Sequence, residues 1–331
     1  MRQFALNFIK EVCMADSILK SKSSDPKQGV YFIGTTPPKQ DTDIALVSGI
    51  ADKLLSRLDE IDYDGLIVYD IQDETSRIDK PRPFPFKYTH DSRLYSKLLH
   101  DKCNKPVITY KSVSQRDSDD FSAWLSDAWH QFSVRDIVLV GSPSAEGEIK
   151  LSLNDAYRVL KAHHLDFHLG GVTIAERHIS KGDEHLRLGN KVQQGCDFFI
   201  SQAVYNAQAT IDLLTRYASQ CKIDGVKPKR IVLTFSPCGS AKTLEFIEWL
   251  GISVPEATKL RILEAENPLK ESLQINRNNF EQILQACLPL DIPLGLNIES
   301  LTNRKEEIDA AILLFKLLKA TLDLKLAESQ M

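Results

Sequence analysis

The sequence predicts a (β/α)8 barrel, a TIM barrel, with an extra N-terminal helix, and three observations predict it. Eight short runs rich in β-branched and aromatic residues are each closed by turn residues. Most are continuously apolar rather than alternating, the pattern of parallel strands covered on both faces. Segments with helical period lie between them, and a regular alternation of this length favours a closed barrel over an open doubly wound sheet, which usually has fewer strands.

Taken in order, residues 3–22 read as the extra helix, placed to plug the barrel bottom. The strand runs begin at Val30, Asp64, Lys105, Asp136, Asp166, Asp197, Arg230 and Ile292. Residues 43–59 put Ile44, Val47, Ile50, Leu54 and Leu58 on one helical stripe, and 116–131 do the same with Phe121, Trp124, Leu125 and Trp129. Residues 207–221 and 301–324 also read as helices, the last through Ile308, Ala311, Leu314, Leu317 and Leu318. Ser180 to Asp183 resembles a capping box that opens a helix at 181–194. The longer gap after the seventh run holds two helical segments, near 240–250 and 272–288. No linker divides the chain, so residues 1–331 read as one domain, with 1–29 a helical extension and 30–325 the barrel. The proline-rich stretch Pro81 to Pro85 falls in the second β-to-α connection and reads as an elaborated loop.

Composition narrows the function class. A net charge of −4 gives no electrostatic reason to propose nucleic acid or an anionic membrane as partner. The 6 cysteines are scattered without a C-x-x-C pair, which speaks against a disulfide framework or a zinc site and fits reduced thiols in the cytoplasm. No apolar run approaches the roughly 20 residues that span a bilayer. Lys10 and Glu11 interrupt the apolar region a signal peptide would need, and either Met1 or Met14 can serve as the start. No G-x-G-x-x-G follows a strand, Gly239 to Thr243 lacks the first glycine of a P-loop, and no cluster has metal-ligand spacing.

Barrels of this kind carry their chemistry at the C-terminal ends of the strands. That rule selects Gly34 to Pro38, Asp70, Gln72, Asp73, Tyr110, Lys111, Gly141, Ser142, Gly170, Gly171, Thr173, Glu176, His178, Ser201, Gln202, Tyr205, Thr234, Ser236, Asn297 and Glu299. Plainer roles stand beside the chemical ones. Asp70 and Asp73 also suit turn caps, Gly170 and Gly171 also suit close packing, and His178 also suits a surface loop. Gln202 is an amide on an otherwise apolar run, and burying an amide without a partner is costly, so it points to a ligand contact. His163 and His164 sit at a helix end and read as structural.

Several of these strand ends resemble methylenetetrahydrofolate reductases, flavin-dependent β/α barrels. The family's Pro-Glu-x-His element after strand five stands here as Ala175, Glu176, Arg177 and His178. Its following helix and strand match Leu188, Lys191, Gly195 and Cys196, then Ser201 and Gln202. Its Pro-Pro-Lys/Arg at strand one matches Pro37, Pro38 and Lys39, and its Leu-Asn-Arg-like turn matches Leu301 to Arg304. The block 168–206 is the most specific.

The resemblance implies FAD as cofactor and NAD(P)H as co-substrate. The hydride would pass through the flavin to 5,10-methylenetetrahydrofolate, giving 5-methyltetrahydrofolate in one-carbon metabolism. His178 and Lys191 fall where the family contacts the FAD diphosphate and ribose, and Glu184 lies near an acidic position that helps hold it. Gly141, Ser142 and Thr173, at neighbouring strand ends, are assigned to the same cofactor surface. Gln202 falls on the folate-binding glutamine, with Tyr205 and Glu299 beside it on the substrate surface. Three positions depart from the family. Gly34 stands where the general acid is a glutamate, Val140-Gly141-Ser142 replaces Arg-Gly-Asp, and Tyr110 or Lys111 replaces a histidine. A reductase must protonate the departing nitrogen, so Glu176 or Asp70 is the expected catalytic acid, with Glu299 the other carboxylate at hand. The alternative is a folate-binding barrel without reductase activity, either a regulatory paralogue or a one-carbon methyl-transfer protein. Arg77 and Arg82 suit a phosphate or a polyglutamate tail, or else belong to a solvated loop pinned by Phe84 and Phe86. A homo-oligomer is left open.

Overall fold

Eight parallel strands pair in chain order, and the eighth closes on the first. They are β1 (Tyr31–Thr35), β2 (Gly65–Val68), β3 (Val107–Ser112), β4 (Asp136–Val140), β5 (His168–Thr173), β6 (Phe198–Ala203), β7 (Arg230–Phe235) and β8 (Leu294–Glu299). The computed structural model describes residues 19–73, 80–142 and 149–331. Within them the helices are α1 (Ile44–Leu58), α2 (Ser92–Cys103), α3 (Ser118–His130), α4 (Leu153–Ala162), α5 (Ala175–Lys181), α6 (Glu184–Gln193), α7 (Ala207–Asp224), α8 (Ala241–Trp249), α9 (Glu256–Glu264), α10 (Pro268–Cys287) and α11 (Lys305–Glu328). Each expected run coincides with a strand, and the barrel fold is as the sequence predicts.

The strands are apolar on both faces because each face meets a different core. Leu66 and Val68 of β2, Leu233 of β7 and Leu296 of β8 turn outward and pack against the helices. Val30, Phe32, Ile67, Ile108, Val138, Phe198, Ile200 and Val232 turn inward and fill the barrel. Gly170 is a packing residue: a Cβ there would lie 2.4 Å from the Phe198 ring. At the bottom, His168 Nδ1 meets Asp136 Oδ1 at 2.7 Å inside the barrel.

The bottom is closed by the chain that precedes β1. Leu19 is buried in the inner core. Arg230 is 1% exposed, and its guanidinium donates to the carbonyls of Lys22, Ser23, Asp25 and Leu294. Burial pulls its pKa down to about 10. Residues 19–23 are helical; the rest of the helix expected over 3–22 lies outside the described residues, as does Arg77.

Three local expectations need correction. The stripe on α1 includes Val47 and Leu58 as buried residues, but Ile44 is 60% exposed and Ile50 39%. The capping box at Ser180 does not open a helix. α5 runs through Ser180 to Lys181 and stops at Gly182, whose φ of 70° breaks it before α6 begins at Glu184. Finally, α9 forms in a gap where two helical segments, not three, are expected.

Candidate functional site

The C-terminal ends of the strands open into one cavity of about 1770 Å³. Among the described residues ten cationic side chains line it (Lys39, Lys53, Arg57, Arg82, Lys87, Arg177, Arg187, Lys191, Arg304 and Lys305) against two carboxylates, Asp70 and Glu299. The whole chain carries −4, so the described lining of the cavity is far more positive than the chain average. Such a concave, low-dielectric wall of one sign draws an anionic ligand. A pocket for one drug-sized ligand is about 300–1,000 Å³, so this cavity exceeds one such occupant.

Its floor is a polar cluster on β1, β2, β3 and β8. Gly34 and Glu299 are register partners on adjoining strands. A Cβ on residue 34 would meet the Tyr69 ring at 2.9 Å and the Glu299 Cβ at 3.1 Å. Glycine there is what makes room for both side chains. Asn297 is wholly buried and donates from Nδ2 to the Tyr69 hydroxyl at 2.8 Å and to Thr234 Oγ1 at 3.1 Å. With its one proton free to donate, the Tyr69 hydroxyl bonds the Glu299 carboxylate. Burial pushes Glu299 up to about 6, opposed by the Tyr69 bond. The Tyr69 and Tyr110 rings meet edge to face at 4.8 Å. On the facing wall Gln202 Nε2 donates to the Leu250 carbonyl at 2.7 Å, and its Oε1 is buried without a hydrogen-bond partner.

A loop covers part of the mouth. Lys39 and Thr89 form an antiparallel bridge, flanked by Gln40 N–H to Tyr88 O and His90 N–H to Pro38 O, both 2.9 Å. This zips the β1–α1 and β2–α2 connections together. Further along, Arg82 lies within 5.3 Å of the Phe86 and Phe246 ring centroids and 5.1 Å of Trp249. Phe84 packs edge-on against Phe246, and Trp249 Nε1–H donates to the Lys80 carbonyl at 3.0 Å. The second connection therefore spans from β2 to α8 after β7, across the sector held by β8 and β1. Phe84 is half-buried in this contact, so it pins the loop, while Arg82 also lines the cavity.

The residues singled out from sequence divide into two groups. Asp70, Gly141, Ser142, Lys191, Gln202 and Glu299 line the cavity. Asp70 is engaged there, accepting from Lys111 Nζ at 2.6 Å and from Ser112 N at 2.9 Å. Lys191 donates to the Val172 carbonyl, and burial lowers its pKa against the pull of Glu184. Glu176, His178, Thr173, Glu184 and Tyr205 do not line the cavity. Glu176 accepts from Ser253 N at 3.1 Å. Glu184 is buried, accepts from Ile174 N at 3.1 Å and is raised by burial. His178 stands edge-on to His185 with ring centroids 5.2 Å apart. Tyr205 is 1% exposed and bonds the Ser236 carbonyl.

Sequence reasoning passed over Tyr69, which closes the second run, and the cations Lys53, Arg57 and Arg187. Tyr69 was legible as the next inward position after Ile67. Ser240 caps α8, which accounts for the P-loop-like Gly239 to Thr243. Among the described residues no group of His, Cys, Asp and Glu is arranged to hold a metal, and no helix is long and apolar enough to cross a membrane.

No family model matches the chain, and no curated protein does either. Among solved structures, 2,3-dimethylmalate lyase, of the PEP mutase/isocitrate lyase superfamily, is 11% identical with a TM-score of 0.43, over 72% of this chain and 78% of that one. Oxaloacetate acetylhydrolase with bound oxalate is 13% identical with a TM-score of 0.39, over 68% and 74%. Likeness at that level adds nothing to the reading of this site. A much nearer structure is an uncharacterized protein from Clostridium thermocellum that binds two copies of 5-methyl-5,6,7,8-tetrahydrofolic acid. It is 36% identical with a TM-score of 0.79, over 92% of this chain and 99% of its own. At that identity and coverage, the chain belongs to the same family as the Clostridium thermocellum protein.

Proposed function

We propose that this chain binds a reduced folate at the barrel mouth. The observation that carries the reading is the folate bound by a relative 36% identical over 92% of the chain. The chemistry of the mouth supports it. A pterin presents adjacent N–H donors on one edge, which an ionised Glu299 accepts as a pair of charge-assisted bonds. Tyr69 and Tyr110 offer aromatic surface to the ring system, and the unpartnered Gln202 Oε1 is an acceptor that a ligand N–H would satisfy. The carboxylates of the folate tail match the cationic walls. Titration calorimetry with 5-methyltetrahydrofolate tests this: saturable binding that Glu299→Gln weakens is expected, and no binding by the wild-type protein would refute it.

A second reading is supported by Gly34 and Glu299 together. The resemblance to methylenetetrahydrofolate reductases asks for a carboxylic acid at position 34. Glu299 stands against that point from the adjoining strand, and with a pKa of about 6 it holds a proton more readily than an ordinary carboxyl. In a reductase it would protonate the departing nitrogen of 5,10-methylenetetrahydrofolate. The FAD that such a reaction calls for is less well provided. Of the residues assigned to it, Lys191, Gly141 and Ser142 line the cavity while His178, Glu184 and Thr173 do not, so they assemble no diphosphate cradle. 5-Methyltetrahydrofolate is the product of reduction and equally a methyl donor, so its binding alone favours neither. A yellow purified protein whose flavin NADH or NADPH bleaches, and methylenetetrahydrofolate reoxidises, would establish the reductase. A colourless folate binder that oxidises no nicotinamide would leave the binding or methyl-transfer role.

A further inference from the structure

The cavity does not end at the strand tips. It continues outward between α1 and α11, the helices that flank β1 and β8. On α1 the lining positions are Ile50, Lys53, Leu54, Arg57 and Leu58, a spacing that puts them on one face. Ile50, a large apolar side chain left 39% exposed, belongs to this face. The α11 wall is Ile308, Ala311 and Ile312, again about one turn apart, with Arg304 and Lys305 at the entrance. The groove is thus apolar along its length and cationic at its rim.

The nearby carboxylates Asp52 and Glu60 are held by Lys102 at 2.6 Å and Lys316 at 3.2 Å. No carboxylate of the described residues pairs with Lys53, Arg57, Arg304 or Lys305. An apolar slot whose rim cations have no acidic partner among the described residues matches an aromatic ring that carries carboxylates.

A relative binds two copies of 5-methyl-5,6,7,8-tetrahydrofolic acid; we propose that in this chain the place of a second copy is this groove, a subsite that takes the aryl-glutamate end of a second reduced folate while the first sits on Glu299. The inference rests on the folate reading of the mouth and deepens it. The volume of about 1770 Å³ gives room for two occupants, and the groove joins the mouth without a dividing wall. A single folate whose own tail filled the groove would leave the rest of the cavity, lined by Arg177, Arg187 and Lys191, without an occupant.

The test uses the full chain and two probes, 5-methyltetrahydrofolate and p-aminobenzoylglutamate, which keeps the aryl ring and carboxylates but has no pterin. Calorimetry on the wild-type protein is expected to give two equivalents of the first and one of the second. Lys53 and Arg57 are exposed, so Lys53→Glu with Arg57→Glu spares the core. Lys53→Gln with Arg57→Gln serves as a milder companion. The charge-reversed pair is expected to bind one equivalent of 5-methyltetrahydrofolate, and p-aminobenzoylglutamate about tenfold more weakly, within the limit of about 30-fold set by two rim charges at up to about 1 kcal/mol each. Glu299→Gln is expected to leave p-aminobenzoylglutamate binding unchanged. Two equivalents retained by the charge-reversed pair, or p-aminobenzoylglutamate that fails to bind the wild type or binds both proteins alike, overturns the subsite. Loss of one shared folate site in both the Glu299 and the groove variants overturns it as well, because the groove then holds the first ligand's tail. Groove-dependent p-aminobenzoylglutamate binding in a protein that takes no folate at Glu299 sustains the subsite and refutes the mouth reading instead.

Discussion

Replacing Glu299 by glutamine should make the protein more stable and a poorer folate binder, and the stability gain should depend on pH in a fixed direction. Glutamine keeps the shape and the acceptor that the Tyr69 hydroxyl uses, and removes only the charge. The carboxyl titrates at about 6 in the folded chain against 4.5 for its ordinary value. The folded state therefore holds the proton more tightly than the unfolded state. Between those two values stability falls as pH rises, and above about 6 the cost is fully present. A shift of this size corresponds to about 2 kcal/mol. For a chain of this length that is a rise in Tm of about 3 °C in the variant. At pH 7.5 the variant should exceed the wild type by that amount, and at pH 5 by less than about 1 kcal/mol. Urea unfolding at the two pH values measures it. Folate affinity should move the other way, falling about 10–100-fold at pH 7.5 as charge-assisted bonds are lost. Wild-type affinity should weaken relative to the variant as pH drops through about 6. A variant no more stable than the wild type at pH 7.5, or a difference that does not change with pH, would refute the argument that Glu299 is held charged at a cost to the fold.

Gly34→Ala should disturb the same cluster from the other side, since the new Cβ meets Tyr69 at 2.9 Å. A loss of about 1–3 kcal/mol in stability together with weakened folate binding is expected, and an alanine tolerated in both respects would contradict the packing. Arg82→Ala removes the guanidinium from three aromatic rings. Ligand release should quicken by about tenfold, for a contact of about 0.5–2 kcal/mol, and stopped-flow dissociation at the wild-type rate would show that the loop does not retain ligand. Arg230→Met leaves the carbonyls of Lys22, Ser23, Asp25 and Leu294 without their donor at the opposite end of the barrel. Stability should fall by about 3 kcal/mol or more with folate affinity unchanged; a parallel loss of affinity would mean that the two ends are coupled.

The strands were legible because their requirement is local. A run such as Leu66 to Val68 must be apolar on both faces, and that shows in the sequence however the chain closes. The helices were less so where their surroundings are unusual. Ile50 fits a core stripe by spacing alone, and only the cavity beside α1 explains its exposure. Gly182 breaks what periodicity joins, because a positive φ leaves no trace in a hydrophobic pattern. In the site, the strand-end rule reached Gln202 and Glu299. It also reached Tyr205, whose hydroxyl is taken up by the Ser236 carbonyl, since the rule cannot say which way a side chain turns. The cationic walls were invisible for another reason. Lys53, Arg187 and Arg304 lie far apart in the chain, and a total charge of −4 conceals where they meet.

Gly34 stands where the reductases that this sequence resembles carry an acid, and in three dimensions a carboxylate stands beside it. Gly34 and Glu299 are register partners on the adjoining strands β1 and β8, and both line the mouth. One point above the floor can therefore be reached from either strand. Here Glu299 reaches it from β8, Tyr69 crosses from β2 to bond the carboxylate, and Asn297 holds Tyr69 from below. A side chain at 34 would collide with two of these groups. The glycine is thus what leaves room for the carboxylate carried by the neighbouring strand. What faces a ligand at this point of the mouth is therefore Glu299, with its pKa raised by burial and its orientation set by a tyrosine and an asparagine.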